Sequence, residues 1–256
     1  MKILGIIPAR LQSTRLPEKL LLNETGKSVL QHTWEATGKA EVLDQIFIAV
    51  DDEKLYQAAT EFGADVVMTG ECASGTDRLA EVIRKRQQAG EAVPEIVVNI
   101  QGDEPEIDAG SIEAVVQELL NTPEAQMATL SVPVASEQDL LNSSVVKVVT
   151  SLTGKALYFS RATLPASRET PVEQLYASTE YSQTWQQHIG LYAYRTEFLL
   201  QFANWSPTPL EQLEKLEQLR ALENGAWIQV RSVNHYSQGI DTLEDYVSFV
   251  NRYNAG

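Results

Sequence analysis

The sequence predicts an α/β protein with a mostly parallel central sheet and an inserted mixed-sheet lobe. In the first half of the chain, short apolar runs alternate with amphipathic segments, which is typical of strands joined by crossover helices. The apolar runs are nearly continuous, and this indicates strands buried on both faces, as in a parallel sheet. After about residue 127 the alternation ends, and several strand-like runs follow without full helices between them.

Four predicted strands and four predicted helices make up the first half. The strands are KILGIIP, QIFIAV, DVVMT and EIVVNI. The helices that follow them are SVLQHTWEATGKA, EKLYQAATEFGA, TDRLAEVIRKRQQAG and AGSIEAVVQELLN. Gly63 and Gly90 lie near the ends of the second and third helices, where glycine is common. Ligands of open parallel sheets bind at the carboxyl ends of the strands, so the loops after the first and fourth strands are the places to look for a site.

The second half contains the runs predicted to form the lobe and then a return to helix. MATLSVPV, SVVKVVTS, KALYFS and HIGLYAYR are predicted strands. PLEQLEKLEQLRALENG is predicted to be one helix with a core-facing stripe of leucines, namely Leu210, Leu213, Leu216, Leu219 and Leu222. WIQVRSV is a further strand, and TLEDYVSFVNRY is a terminal helix. We expect a single domain over residues 1–256, with the inserted lobe at about 133–195.

The acidic net charge argues against partners that are themselves strongly negative. The chain has 35 acidic and 20 basic residues and a net charge of −15, which disfavours binding to nucleic acid or to anionic membranes.

A single cysteine, Cys72, cannot form an internal disulfide. The apolar start is too short for a secretory signal, and no apolar run approaches the ~18 residues of a membrane span. These features predict a cytoplasmic protein.

The loop after the first strand gathers cations in an otherwise acidic chain. The run PARLQSTRLPEKL carries Arg10, Arg15 and Lys19 within ten residues. Arginine offers forked donors to phosphate and lysine offers a compact charge, so three cations here suit a triphosphate. Charges scattered on a solvated loop would give the same spacing. The run lacks both G-x-G-x-x-G and G-x-x-x-x-G-K-[ST], which argues against a dinucleotide oxidoreductase and a P-loop hydrolase.

Two aspartates are candidate ligands of a metal ion. Asp103 lies in QGDEP after the fourth strand, and Asp241 lies in GIDTLED before the last helix. Such carboxylates suit a hard cation such as Mg²⁺, which keeps waters and bridges to phosphates. The pattern alone favours another role for Asp241, that of a helix N-cap, with Glu244 as its reciprocal partner three residues on.

Seven blocks resemble those of one family, in the same order. They are IPARLQSTRLPEKLL, SGTDRLAEV, VNIQGDEP, ALYFSRATLP, HIGLYAYR, LEKLEQLRALENG and GIDTLED. From about Ile3 to Tyr246 the chain resembles the 3-deoxy-manno-octulosonate cytidylyltransferases (CMP-Kdo synthetases). The resemblance implies a Rossmann-like nucleotide-diphospho-sugar transferase fold, usually as a homodimer. It also implies that CTP and Kdo, an acidic eight-carbon sugar, give CMP-Kdo and pyrophosphate for lipopolysaccharide assembly.

The resemblance assigns roles to residues of this chain. The residues implied to bind CTP are Ala9, Arg10, Arg15, Lys19, Ser74, Gly75 and Arg78. The residues implied to bind the sugar are Gln101, Arg161, His188, Glu214 and Gln218. The implied catalytic set is Lys19, Arg10, Asp103 and Asp241, with Lys19 nearest the α-phosphate. Asp103 and Asp241 would hold Mg²⁺, and this reverses the preference for Asp241 as a cap. No protein nucleophile is implied, so Cys72 is not needed for catalysis.

Ordinary structural explanations compete with several of these roles. Arg78 fits a charge on a helix surface equally well. Glu214 and Gln218 are one helical turn apart and would share a face, which is usually solvated. A lone histidine that begins an apolar strand, as His188 does, is more often a satisfied structural residue.

Departures from the family pattern keep other functions open. The family commonly has glycine at the position of Glu18 and proline at the position of Leu20. Shortly before SGT the family often has a histidine, where this chain has Cys72 and Ala73. The Glu18 side chain can point outward from the phosphate loop. Related enzymes activate 8-amino-Kdo, so the exact sugar stays open. The alternatives are a CMP-sialic acid synthetase, whose first loop reads more like PARGGSKGIPxKN, and a non-catalytic nucleotide-binding regulator on the same fold.

Overall fold

The computed structural model describes residues 2–177 and 183–255. In this part of the chain the strands are β1 (Ile3–Ala9), β2 (Gln45–Val50), β3 (Asp65–Met68), β4 (Ile96–Asn99), β5 (Met127–Pro133), β6 (Lys147–Thr150), β7 (Ala156–Ser160), β8 (Gln186–Arg195) and β9 (Ile228–Ser232). The α-helices are α1 (Val29–Thr37), α2 (Glu53–Glu61), α3 (Gly75–Gln88), α4 (Ala109–Asn121), α5 (Glu137–Leu141), α6 (Val172–Tyr176), α7 (Thr196–Phe202), α8 (Pro209–Glu214), α9 (Gln218–Glu223) and α10 (Leu243–Ala255). A short 3₁₀ helix covers Lys19–Leu21. No helix among the described residues is long and apolar enough to cross a bilayer.

Two compact units divide the chain. The first contains the residues up to Val116, Ala193–Ala203 and the residues from Ser237 onward. The second contains Gln117–Tyr192 and Asn204–Tyr236. Strand β8 contributes its last three residues to the first unit and the rest to the second.

The first unit is built on the predicted parallel strands. They lie in the order β3-β2-β1-β4, and each neighbouring pair is parallel. All of β1 except Pro8 is buried, and all of β4 is buried, as the continuous apolar runs predict. The α/β class and the mostly parallel sheet are therefore confirmed.

Helices α1, α2 and α3 of the first unit begin at residue types that are favoured as N-caps. Ser28 caps α1 by accepting a hydrogen bond from the backbone N–H of Gln31, and Asp52 caps α2 through the N–H of Lys54. Ser74 begins α3 in a capping box with Asp77, in which each side chain accepts from the other residue's backbone N–H. This box fixes where the SGTDR segment turns from loop into helix.

The second unit contains the strands of mixed direction. β5 and β9 pair in parallel, whereas β6 pairs antiparallel with both β7 and β8. Lys147 lies on β6 with no solvent exposure, and its ammonium donates to the carbonyl oxygens of Asn142, Val145 and Arg161 at 2.9, 2.6 and 3.0 Å. Burial lowers the pKa of Lys147, and the nearby Arg161 lowers it further.

The single helix predicted over PLEQLEKLEQLRALENG is wrong. Lys215 adopts a left-handed conformation (φ 54°) between α8 and α9. Arg220 of α9 is buried and binds the Glu211 carboxylate of α8 through Nε at 2.8 Å and Nη2 at 2.6 Å. In a continuous helix these two residues would lie on opposite faces, about 13 Å apart along the axis, so the ion pair requires the break. The predicted leucine stripe also fails at Leu213, which is 80% exposed.

Candidate active site

A cleft of about 280 Å³ lies in the first unit, at the carboxyl ends of β1 and β4. The predicted site residues that line it are Arg10, Lys19, Ser74, Gly75, Arg78, Gln101, Asp103 and Asp241. Gln12 and Ser13, which the sequence analysis did not single out, line it as well. Ala9 is fully buried at the end of β1. The cleft therefore has the position at which ligands bind in sheets of this kind.

Gly102 brings the loop after β4 against the end of β1. A Cβ atom at this position would lie 3.1 Å from the carbonyl oxygen of Pro8, a contact with rigid backbone. The hydroxyl of Thr33 on α1 donates to the Gly102 carbonyl at 3.0 Å and fixes the loop from the other side. The close approach places Asp103, the next residue, beside Lys19.

Lys19 joins the two predicted metal-binding aspartates. Its ammonium donates to Asp103 Oδ2 at 2.5 Å, to Asp241 Oδ1 at 3.1 Å and to the carbonyl oxygen of Ile240 at 2.7 Å. Its side chain is only 13% exposed. Arg15 adds a second cation, 2.9 Å from the same Asp241 oxygen. The backbone N–H of Ile240 donates to the carbonyl oxygen of Asp103 at 2.8 Å, so the two aspartate loops are also tied directly.

Asp241 does not cap α10. The cap is Thr242, whose hydroxyl accepts from the N–H of Asp245 at 3.2 Å while the Asp245 carboxylate accepts from the N–H of Thr242 at 2.9 Å. The interpretation that the pattern alone favoured, Asp241 as cap with Glu244 as partner, is therefore wrong by one residue. The Asp241 carboxylate is left to the cations of the cleft.

The carboxylates of Asp103 and Asp241 are chemically suited to bind a divalent cation. Two carboxylate oxygens converge on one nitrogen atom, and both carboxylates line the cleft. Among the described residues there is no group of three or more His, Cys, Asp or Glu side chains that could hold a metal on their own. Mg²⁺ commonly takes one or two protein carboxylates and completes its shell with waters and substrate phosphates.

Arg78 is not the surface charge that one interpretation predicted. It is 5% exposed, its Nη2 lies 3.0 Å from Asp51 Oδ2, and its Nη1 donates to the Thr69 hydroxyl. Cys72 also lines the cleft, and its S–H donates to Glu81 Oε2 at 3.4 Å. Burial, together with the hydrogen bond to Glu81, raises the pKa of Cys72 to about 11, which makes this thiol a poor nucleophile.

The remaining predicted sugar residues belong to the second unit. The Arg161 guanidinium donates to the carbonyl oxygens of Glu214 at 2.7 Å, Ser143 at 3.1 Å and Lys215 at 3.5 Å. The Glu214 carboxylate accepts from the Ser160 hydroxyl at 2.6 Å and from the Arg161 backbone N–H at 2.9 Å. The structure thus brings Arg161 and Glu214 together.

Gln218 and Glu214 lie on two different helices. It is buried at the start of α9, whereas Glu214 is the last residue of α8. The prediction that the two share one helical face is therefore wrong, because the chain turns at Lys215 between them. The sequence analysis also missed Lys147, although a lysine within the apolar run VVKVV is a signal of a buried, fully bonded charge.

His188 is held as a neutral ring in the second unit. Its Nε2 lies 3.1 Å from the Thr129 hydroxyl, and its ring makes an edge-to-face contact with Phe159 at 5.1 Å between centroids. Tyr192 packs on it at 5.3 Å. Burial lowers the pKa of His188 to about 3. A neutral imidazole can still donate or accept one hydrogen bond at each nitrogen.

His188 is expected to make the protein less stable as the pH falls. Between the unfolded pKa of about 6.5 and the folded pKa of about 3, the unfolded chain binds a proton that the folded chain excludes. The free energy of unfolding therefore decreases as the pH is lowered through this range. Urea unfolding at about pH 7 and about pH 5 should show a smaller loss for His188→Gln than for the unchanged protein. An equal loss in both proteins would contradict the assignment.

The Glu18 side chain points outward from the loop after β1, while its backbone adopts a strained conformation. Its carboxylate pairs with Lys54 at 2.8 Å on an exposed surface, while its backbone lies in the left-handed region (φ 49°). That conformation costs a non-glycine residue about 1 kcal/mol. We expect Glu18→Gly to raise the free energy of unfolding by up to about 1 kcal/mol in urea titrations. Lys54→Ala, which removes the ion pair and keeps the strain, is the control and should bring no gain.

Comparisons with known proteins relate nearly the whole chain to cytidylyltransferases. A family model described as cytidylyltransferase matches residues 4–232. The chain is 46% identical over 253 residues to a 3-deoxy-manno-octulosonate cytidylyltransferase of Rhodopirellula baltica, covering 98% of each chain. It is also 46% identical to the enzyme of the same name from Solibacter usitatus, covering 95% of this chain and 91% of that one.

Solved structures show the same relationship. The structure of CMP:2-keto-3-deoxy-manno-octonic acid synthetase complexed with CTP matches with a TM-score of 0.89 and 33% identity, over 100% of this chain and 99% of that chain. A 4-diphosphocytidyl-2C-methyl-D-erythritol synthase matches with a TM-score of 0.64 and 14% identity, over 98% of this chain and 97% of that chain, and shares the fold alone. The predicted nucleotide-diphospho-sugar transferase fold is confirmed.

Proposed function

The chain belongs to the 3-deoxy-manno-octulosonate cytidylyltransferase family, and we propose that it joins CTP to Kdo to give CMP-Kdo and pyrophosphate, with Mg²⁺ as the metal. The observation that carries the proposal is the convergence of Asp103 and Asp241 on Lys19 in a cleft that arginines also line or border. Cations and paired carboxylates at one strand edge are what a metal–triphosphate complex needs.

The reaction requires stabilisation of charge rather than a protein nucleophile. The anomeric hydroxyl of the sugar attacks the α-phosphorus in line, and pyrophosphate leaves. We assign Arg10, Arg15 and Lys19 to the phosphate oxygens, with Lys19 nearest the α-phosphate. Bound Mg²⁺ would neutralise phosphate charge and orient the attacking hydroxyl, and Asp103 and Asp241 are the residues that would hold it.

The nucleoside is assigned to the loop that begins α3. Ala9, Ser74, Gly75 and Arg78 complete the proposed CTP set, and all but Ala9 line the cleft. Gly75 has no side chain, which lets a ligand approach the backbone closely. Ser74 already uses its hydroxyl in the capping box of α3, so we expect this loop to bind the nucleoside mainly through backbone groups.

The sugar is assigned to polar groups that the second unit keeps in fixed positions. The described residues give the Arg161 guanidinium three carbonyl partners and no carboxylate, so its charge is available to the carboxylate of a sugar acid. His188, Glu214 and Gln218 are proposed to form hydrogen bonds with the hydroxyls of the sugar, and Gln101 of the first unit is proposed to do the same.

We further propose that the protein is a homodimer, to which residues 133–195 contribute, and that it is located in the cytoplasm, where CTP is made. Lipopolysaccharide biosynthesis is the proposed use of the product.

Pyrophosphate release tests the function directly. The purified protein would be supplied with Mg²⁺, each of CTP, UTP, ATP and GTP, and one of Kdo, 8-amino-Kdo or N-acetylneuraminate. We expect release with CTP and a Kdo-type sugar, and the comparison of the two Kdo forms identifies the natural acceptor. Omission of Mg²⁺ with a chelator present should stop release. Release with N-acetylneuraminate alone would indicate a CMP-sialic acid synthetase, and no release with any pair would indicate a nucleotide-binding regulator.

A further inference from the structure

Asp51 connects two loops of the nucleotide cleft through one carboxylate. It is the first residue after β2, in the first unit. Its Oδ1 accepts from the backbone N–H of Leu11 at 3.1 Å, and its Oδ2 lies 3.0 Å from Arg78 Nη2. Leu11 follows Arg10 in the cationic loop, and Arg78 lies in the first turn of α3, just after Ser74 and Gly75. Neither contact is local in sequence, since they span 40 and 27 residues.

Arg78 is fixed from a second side by Thr69. The Thr69 hydroxyl accepts from Arg78 Nη1 and donates to the carbonyl oxygen of Val50 at 2.8 Å. The backbone N–H of Thr69 donates to the same carbonyl at 2.7 Å. The guanidinium is therefore tied to the ends of β2 and β3, and Asp51 is the carboxylate that balances its buried charge.

The geometry points to Asp51 as a positioning residue for nucleotide binding: it fixes the spacing between the phosphate-binding loop and the nucleoside-binding loop. A bound CTP would touch both loops, so its affinity depends on how closely their spacing matches the nucleotide. This inference rests on the proposed binding of CTP. Without the carboxylate, the Leu11 N–H loses this acceptor and the buried Arg78 cation loses its ion-pair partner.

Asp52 provides a matched control at the neighbouring position. Its carboxylate caps α2 by accepting from the N–H of Lys54 at 2.8 Å. Removing it costs a helix cap but leaves the bonds of Asp51 to Leu11 and to Arg78 untouched. A general loss of stability in this segment would therefore appear in Asp52→Ala as well, whereas a change in loop spacing would not.

The test compares Asp51→Ala, Asp51→Asn and Asp52→Ala with the unchanged protein. Calorimetric titration with CTP gives Kd, and pyrophosphate release gives kcat and KM for each substrate. Asp51→Ala is expected to raise Kd and KM for CTP by about tenfold or more, with kcat and the KM for sugar changed by less than about threefold. Asp52→Ala is expected to keep the affinity for CTP.

Asp51→Asn tests the role of Asp51 in CTP binding if Asp51→Ala does not fold. It keeps the size of the side chain and an acceptor for Leu11, but it removes the charge facing Arg78, so we expect a several-fold weaker affinity for CTP. An unchanged affinity in the folded Asp51 variants, or the same loss in Asp52→Ala, would overturn the inference. Failure of the unchanged protein to bind CTP would instead refute the proposed function, and the inference with it.

Discussion

Lys19→Ala is expected to lower kcat for pyrophosphate release by about a thousandfold while the protein stays folded. The ammonium is largely shielded from water and contacts the carboxylates of both Asp103 and Asp241. In the proposed reaction it also lies nearest the α-phosphorus, where negative charge grows as pyrophosphate leaves. A preorganised cation at such a point acts mainly on the transition state, so the loss should appear in kcat more than in the KM for CTP.

Lys27→Ala is the control for removing a lysine from the same unit. Lys27 pairs with Glu35 at 2.6 Å away from the cleft, so its loss should leave turnover near that of the unchanged protein. Circular dichroism and thermal unfolding establish that both variants are folded. A folded Lys19→Ala enzyme that keeps more than about a tenth of the normal kcat would refute the assignment of Lys19 to the α-phosphate.

The strands and the site loops of the first unit could be predicted because one physical signal determines each of them. A continuous apolar run such as that of β1 has few stable positions other than the middle of a parallel sheet. Once the strands are placed, their carboxyl ends place Arg10, Lys19 and Asp103 along one edge. For Asp241 the pattern leaves two roles open, and the resemblance to a family favours its role as a site residue over its role as a helix cap.

The features that could not be predicted depend on contacts between distant residues. The helix break at Lys215 follows from the Glu211–Arg220 ion pair, and leucines at helical spacing do not reveal it. The burial of Arg78 depends on Asp51, which lies 27 residues away. In the run Asp241–Thr242 both residues are good N-caps, so sequence alone could not show which of them begins α10.

Asp241→Asn is expected to reduce turnover by at least about a hundredfold and to leave stability nearly unchanged. The substitution keeps the size of the side chain and removes the charge that faces Lys19 and Arg15 and that would hold the metal. Arg15 is 65% exposed and Asp241 is 47% exposed, so water can replace much of what their pairing contributes to folding. The Thr242–Asp245 box that begins α10 stays intact in this variant.

Thr242→Ala should show the opposite result, and the contrast between the two variants separates metal binding from helix capping. Loss of the cap hydroxyl is expected to lower the free energy of unfolding by about 1 kcal/mol, measured in urea, while the Asp241 carboxylate and most of the turnover remain. If Asp241→Asn instead lost stability like Thr242→Ala and kept its turnover, Asp241 would be a structural residue. Because the two positions are neighbours, each variant also controls for a general disturbance of the GIDTLED loop, and only a role in chemistry explains loss of turnover at Asp241 alone.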